Sequence, residues 1–265
     1  MANYSHDAVV PFKDSQLGKK QQVARMFDQI AFRYDFLNHF LSGGVDLYWR
    51  RRAIRELRRS DAMTSPPVRS AVAADADATA ILDVATGTAD MPILMARNLP
   101  GALITGVDIS TGMLDIARAK IAKSHLAHRI TLLTGDSEAL QFPDGQFDAV
   151  TVAFGVRNFE HLEDGLKEML RVLKPGGKLI ILEFSQPRIR GVRQLYELYT
   201  RLVACRIGRM VSSNPDAYRY LNDSVRAFPE GKTFLGILDA CGYKETRQDR
   251  LSLGVCSLYT GTRPI

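Results

Sequence analysis

No apolar run in these 265 residues approaches the ~18–20 that a membrane-spanning helix needs. The opening stretch, MANYSHDAVVPFKDSQLGKK, has no uninterrupted apolar segment behind a basic one, so a cytoplasmic protein is expected. Cysteine is scarce. Cys205, Cys241 and Cys256 lie far apart, form no C-x-x-C pair and have no histidine at ligand spacing. A disulfide framework is thereby excluded, and no metal centre is expected. No G-K-[ST] follows a glycine-rich loop and no G-x-G-x-x-G is present, which removes the phosphate-binding loop and the three-glycine dinucleotide fingerprint. Aromatic and basic residues do not interleave in the manner of RNA-binding motifs, so no nucleic-acid partner is expected. Charge is also moderate: 24% of residues are charged, against 46% hydrophobic, which is globular rather than disordered composition. The net charge of +6 asks where the basic residues cluster.

The length suits one large domain or two small ones. Val23, Met26, Phe27, Ile30, Tyr34, Leu37 and Leu41 recur at three- and four-residue spacing and predict an amphipathic helical opening to about Phe40. Ser42-Gly43-Gly44 breaks it, and Asp46 is placed to cap a second helix through Arg59 that carries six arginines between Arg50 and Arg59. Residues 1–60 therefore read as a helical cover. Residues 61–79, small, polar and proline-marked, read as a flexible connection.

From 80 to 265 short β-branched runs alternate with helical ones. Strands are predicted at 80–84, 103–107, 130–134, 147–153 and 178–184, with helices at 88–98, 111–123 and 163–172 between them. This is an α/β pattern, a parallel sheet covered on both faces that binds ligands at its carboxyl strand ends. A helical, basic insertion follows at about 188–226, then a helix at 231–241 and an antiparallel strand pair at 242–250 and 254–262.

Three strand ends carry candidate chemistry. The first strand runs into Asp83-Val84-Ala85-Thr86-Gly87-Thr88-Ala89-Asp90, a small-residue turn that allows close ligand approach ahead of a helix N-terminus. About twenty residues on, Asp108 ends the second strand, where a carboxylate can accept both ribose hydroxyls of an adenosine. Asp136 and Ser137 follow the third, where the carboxylate can take the exocyclic amino group of adenine and the Ser137 N–H can meet a ring nitrogen. Each aspartate alone would more often be a helix cap.

The ordered set of these three features, Phe147-Asp148-Ala149-Val150 and Leu173-Lys174-Pro175-Gly176-Gly177 resembles the motifs of class I S-adenosylmethionine-dependent methyltransferases. That resemblance implies a Rossmann-like, seven-stranded, mostly parallel sheet with an antiparallel last strand. Further stretches narrow the likeness: Met26-Phe27-Asp28-Gln29-Ile30-Ala31-x-x-Tyr34-Asp35-x-Leu37-Asn38, Phe154-Gly155-Val156-Arg157-Asn158, Leu182-Glu183-Phe184-Ser185, Tyr218-x-Tyr220-Leu221-x-x-Ser224 and Phe228-Pro229. Together they are similar to the ubiquinone/menaquinone biosynthesis C-methyltransferases, the UbiE/MenG family, over nearly the whole chain outside 60–80 and the two tails.

The resemblance implies S-adenosylmethionine as methyl donor and a ring carbon of a prenylated quinol as acceptor, with another small phenolic or lipid-like acceptor as the alternative. It places Asp83, Gly87, Thr88, Asp90, Asp108, Asp136 and Ser137 at the cofactor. Arg157 becomes the first catalytic candidate, its charge stabilising a developing phenolate or holding a water, or else positioning its own loop. Asp35 and Tyr34, with His39, are the next candidates for general base or ring contact. Two departures stand out: many relatives have G-T-G-D where this chain has Gly87-Thr88-Ala89-Asp90, and a serine where it has Ala153. Alanine at 89 is tolerable if its φ is negative. Because a prenylated quinol resides in a bilayer, the arginine-rich helices become candidates for transient membrane-surface contact, with Leu195, Tyr196 and Tyr199 at the interface. Pairing into a homodimer would use 188–226.

Overall fold

A computed structural model describes residues 4–42, 44–59, 78–196, 198–199 and 215–265, with the backbone alone at 33–42, 215, 216 and 218. Seven strands form one sheet: β1 (Ala80–Val84), β2 (Leu103–Asp108), β3 (Ile130–Thr134), β4 (Phe147–Ala153), β5 (Leu173–Phe184), β6 (Lys244–Leu251) and β7 (Cys256–Thr262). Their spatial order is β3-β2-β1-β4-β5-β7-β6. β1 to β5 pair in parallel, and β7 runs antiparallel between β5 and β6. The fold is the Rossmann-like α/β sheet expected of a class I methyltransferase. After β3 the chain returns to the far side of β1, so the topological switch lies between β1 and β4. Ligands of such sheets bind there, beyond the carboxyl ends.

Strand alternation divides the core in two. Ile81, Ile104, Ile180 and Leu258 point to one face, beneath α2 (Asp46–Arg58), α3 (Asp90–Asn98) and α4 (Thr111–Lys123), through Trp49, Ala53, Leu57, Met95 and Ile121. Leu82, Val84, Val150, Leu179 and Ile181 point to the other, beneath α5 (Leu162–Val172) and α7 (Lys232–Ala240), through Leu166, Met169, Phe234 and Leu238. A third, smaller cluster joins Val23, Met26 and Ile30 of α1 (Lys19–Ser42) to Met113 of α4 and to Ala217 and Tyr220 of α6 (Pro215–Ala227). The described part of the predicted apolar stripe, Val23, Met26 and Ile30, is thus buried on the sheet domain and on α6.

Local chemistry moved several boundaries. Asp46 is not the cap of α2: Val45 precedes the helix in helical conformation, and Asp46, 2% exposed, faces Arg50 Nε at 3.7 Å. The third helix starts at Asp90 rather than 88 because Ala89 is left-handed, with φ 64° and ψ 27°. β5 begins five residues early, since Leu173 already pairs with Phe147 before an irregularity restores register at Lys178. In the expected insertion, helix covers the described residues of 190–199, while 200–214 lie outside the described residues, as do 60–77 of the connection. Among the described residues no helix is long and apolar enough to cross a membrane.

The negative φ assumed for Ala89 is therefore absent. A left-handed non-glycine residue costs roughly 1–2 kcal/mol, which offsets what its fully buried methyl contributes. Ala53, equally buried inside α2, carries no such strain. In urea unfolding, Ala89→Gly should destabilise less than Ala53→Gly by about 1–2 kcal/mol; equal losses would show that position 89 is unstrained.

Candidate active site

The strand ends at the switch open into a cleft of about 700 Å³, its mouth included. Val84, Ala85, Val107, Gly135, Ala153 and Phe154 form its floor, while Lys20, Val23 and Phe27 of α1 lie over it. Two glycines are sterically required beside it: a Cβ at Gly155 would come 2.5 Å from Ala85 Cβ, and one at Gly135 2.9 Å from Val107 Cγ1.

Of the seven cofactor candidates, Gly87, Asp108, Asp136 and Ser137 line this cleft. Asp108, at the tip of β2, accepts the Gly87 N–H through Oδ2 at 2.7 Å and the Ser110 N–H through Oδ1 at 2.9 Å. Burial pushes its pKa up to about 6 against those backbone donors. Asp136 accepts the Glu138 N–H through Oδ1 at 2.9 Å and faces Lys20 Nζ at 2.5 Å through Oδ2.

Asp83, Thr88 and Asp90 do not line the cleft; they hold the loop that does. Asp83, 1% exposed, accepts from the hydroxyls of Thr86 and Thr151, bracing the loop against β4. Burial raises its pKa to about 6, opposed by those two donors. Lys120 Nζ pairs with Asp90 and lies 3.1 Å from Thr88 Oγ1, tying the start of α3 to the end of α4.

Arg157 is 2% exposed in a single turn, Val156–Asn158, beside the cleft rather than on its lining. Its Nη1 donates to Glu183 Oε1 at 2.6 Å and to the Phe154 carbonyl at 2.5 Å, and its Cζ lies 5.5 Å from the Phe184 ring. Arg50 of α2 sits 5.4 Å from the Phe154 ring, whose centroid is 4.6 Å from that of Phe184. Two buried arginines thus flank two tilted, close-packed rings behind the loop. Phe154, which does line the cleft, has a strained φ of 61°. Asn158 accepts the Tyr220 hydroxyl at 3.0 Å, which brings α6 to the same loop. Tyr34, Asp35 and His39 lie on α1, with their side chains outside the described residues.

The helical cover was expected from the sequence, but not the residues that fasten it. Lys20, Asp28, Glu138 and Glu160 all take part, Asp28 having stood in the Met26–Asn38 stretch with no role assigned and Lys20 standing three residues before Val23, a lysine on the apolar stripe. The residues fit an adenosyl cofactor by donor set. Asp108 supplies acceptors for ribose hydroxyls, Asp136 an acceptor for an amino group, and Ile109 and Met113 apolar surface in the same lining. No cluster of three metal-ligating side chains occurs among the described residues.

Comparison with known proteins agrees with that geometry. A family model described as the ubiE/COQ5 methyltransferase family matches residues 15–263. The demethylmenaquinone methyltransferase of Bacteroides fragilis is 40% identical over 262 residues, 98% of this chain and 100% of that protein. A ubiquinone/menaquinone biosynthesis C-methyltransferase UbiE of Geobacter sulfurreducens is 42% identical over 246 residues, covering 92% and 90%. Among solved structures, the [4+2]-cyclase SpnF superposes with a TM-score of 0.60 at 16% identity, covering 93% of this chain and 97% of that one. An S-adenosylmethionine-dependent methyltransferase of Thermotoga maritima gives 0.55 at 18%, covering 90% and 98%. These two likenesses establish the fold alone, and a cyclase among them shows why chemistry has to be argued from the site.

If Asp108 holds the ribose, Asp108→Ala should raise the dissociation constant for S-adenosylhomocysteine about ten- to a hundredfold, the scale of lost charge-assisted hydrogen bonds. Calorimetry showing unchanged affinity would reject the assignment.

Proposed function

The chain belongs to the ubiE/COQ5 methyltransferase family, which makes it an S-adenosylmethionine-dependent methyltransferase, and we propose that it methylates a ring carbon of a prenylated quinol, converting demethylmenaquinol to menaquinol. The observation that carries this reading is the length of the likeness. Identity of 40% with the Bacteroides fragilis enzyme extends over 98% of the chain, so it takes in α1, α2 and α6, which surround the cleft, as well as the shared cofactor fold.

S-adenosylmethionine supplies an activated methyl electrophile, so the protein has to align the acceptor carbon, make the ring electron-rich and keep water out. Val23 and Phe27 cover the cleft and exclude solvent. Arg157, whose charge is balanced by Glu183 and which stands off the lining, serves as a positioning residue: its bonds to Glu183 and to the Phe154 carbonyl set the loop that carries Phe154, Gly155 and Asn158 into the cleft. Tyr34 and Asp35 are the proposed ring contacts and proton acceptors.

Testing Arg157 requires care, because truncating it leaves Glu183 buried and unpaired, which costs about 3–5 kcal/mol. Arg157→Ala/Glu183→Gln removes both charges. In a host deleted for its own ring methyltransferase, mass spectrometry of lipid-soluble quinones should show a species one methyl group short. The parent chain should convert that species fully. The double variant should bind S-adenosylhomocysteine within a few-fold of the parent yet convert almost none of it. A parent chain that leaves the undermethylated quinone in place would overturn the reading.

The acceptor's long tail also motivates a membrane-surface contact, which we propose for the described part of 188–199 with the exposed side of α2. Ile189, Leu195 and Leu198 are 58%, 68% and 53% exposed in the same stretch as Arg190 and Arg193. On α2, Arg51 and Arg55 are exposed, whereas Arg50 is turned inward and Arg52 and Arg59 pair with Glu56. Each basic residue near an anionic surface contributes about 1 kcal/mol, so liposome flotation should be strong with anionic lipid and weaken with salt. Absence of flotation together with a doubled mass by light scattering would instead assign the apolar side to a homodimer.

A further inference from the structure

α1 crosses the cleft and is fastened to the sheet domain on both sides of it. At its start, the Lys19 N–H donates to Glu160 Oε1 at 2.8 Å, and Lys20 Nζ lies 2.5 Å from Asp136 Oδ2 and 2.9 Å from Glu138 Oε2. Glu138 is itself fixed, accepting the N–H groups of Glu160 at 2.7 Å and His161 at 2.9 Å. Eight residues later, about 12 Å along the helix, Asp28 Oδ1 accepts the Ser110 hydroxyl at 2.6 Å and the Gly112 N–H at 2.9 Å. A Cβ at Gly112 would stand 3.1 Å from that oxygen. Val23 and Phe27, between the two fastenings, are the residues that cover the cleft.

The two fastenings differ in one respect. Asp28 binds Ser110 and Gly112, which do not line the cleft, whereas Lys20, itself in the lining, binds Asp136, which lines the cleft at the position suited to an amino group. One ammonium is shared by two carboxylates, so without it Asp136 and Glu138 would repel each other beside the site. Burial pulls the Lys20 pKa down, but its hydrogen bonds to both carboxylates outweigh that and leave it raised, so the bridge is charged at neutral pH.

We propose that Lys20 is a positioning residue for the methyl donor: it aims the Asp136 carboxylate, closes α1 over the adenosyl group, and must release for the cofactor to exchange. The proposal rests on the reading of this cleft as the adenosyl site. It assigns control of cofactor residence to a side chain of the N-terminal cover rather than to the strand-end loops.

The test measures two properties of the parent chain, Lys20→Met and Lys20→Arg. Hydrogen exchange of residues 19–31 is followed in cofactor-free protein, and the dissociation rate of S-adenosylhomocysteine is followed by stopped-flow displacement at low and high salt. Lys20→Met is expected to lose protection along 19–31 and to release the ligand about tenfold faster, equivalent to ~1.4 kcal/mol. Salt should speed release from the parent and not from Lys20→Met, and Lys20→Arg should restore most of the parent's behaviour, which loss of packing alone would not produce. Parent-like protection and release in Lys20→Met would overturn the proposal. Failure of the parent to bind S-adenosylhomocysteine would overturn the reading of the cleft instead, while exchange in the free protein would still decide whether Lys20 fastens α1.

Discussion

Asp108 is the point on which the site is assembled. Its carboxylate takes the N–H of Gly87 and the N–H of Ser110, joining the turn after β1 to the turn after β2. Ser110 then caps α4 by accepting the Met113 N–H, and its hydroxyl donates to Asp28 of α1. One side chain therefore sets the loop of the floor, the start of a supporting helix and, through Ser110, the seat of the roof. Burial raises both Asp108 and Asp83 to about 6. Because folding raises these pKa values, ionising the two groups costs folded-state stability, a cost that sets in as pH rises from about 4 and is complete above about 6. Of the two, Asp108 lines the cleft, so its ionised carboxylate is an acceptor held ready for a ligand, whereas that of Asp83 is taken up by the Thr86 and Thr151 hydroxyls.

The two N-terminal helices serve the site from opposite sides. α1 covers the cleft, and α2 supports it from behind, where Trp49 and Arg50 pack on Phe154 and Phe184. The strained Phe154 is held by this aromatic packing, by Arg50 across its ring and by the Arg157 guanidinium on its carbonyl. A buried pair such as Arg157–Glu183 is a weak source of stability in itself. Its value here is placement, since it sets the loop that carries Phe154, Gly155 and Asn158 into the lining.

The parts of the fold that could be read from the chain are those governed by local pattern. Short, largely apolar and β-branched runs such as Ala80–Val84 and Phe147–Ala153 mark strands covered on both faces, and their bounds agree with the structure. Boundaries failed where a side chain found a better partner than the local rule offers, as when Asp46 turned to Arg50 instead of capping α2. The candidate site was legible in its strand-end aspartates, because those lie at fixed offsets from periodic strands. Its division into lining residues (Gly87, Asp108, Asp136, Ser137) and loop-holding residues (Asp83, Thr88, Asp90) was not, because Gly87 shares one short loop with the loop-holding residues and spacing does not say which of them faces the cleft.

By itself the sequence determined the α/β class, the order of the elements, the strand-end loops and the family likeness, all properties of short-range periodicity and motif spacing. Only the tertiary structure decided the left-handed Ala89, the inward turn of Arg50 and Arg157 onto the packed rings of Phe154 and Phe184, and the fastening of the roof by Lys20 and Asp28. Apart from Ala89, where the loop imposes the strain, those contacts join residues from 27 (Arg157–Phe184) to 118 (Lys20–Glu138) positions apart. Ion pairs across such separations leave no periodic trace in a chain; they exist only once the sheet has brought its strand ends together and α1 has crossed them.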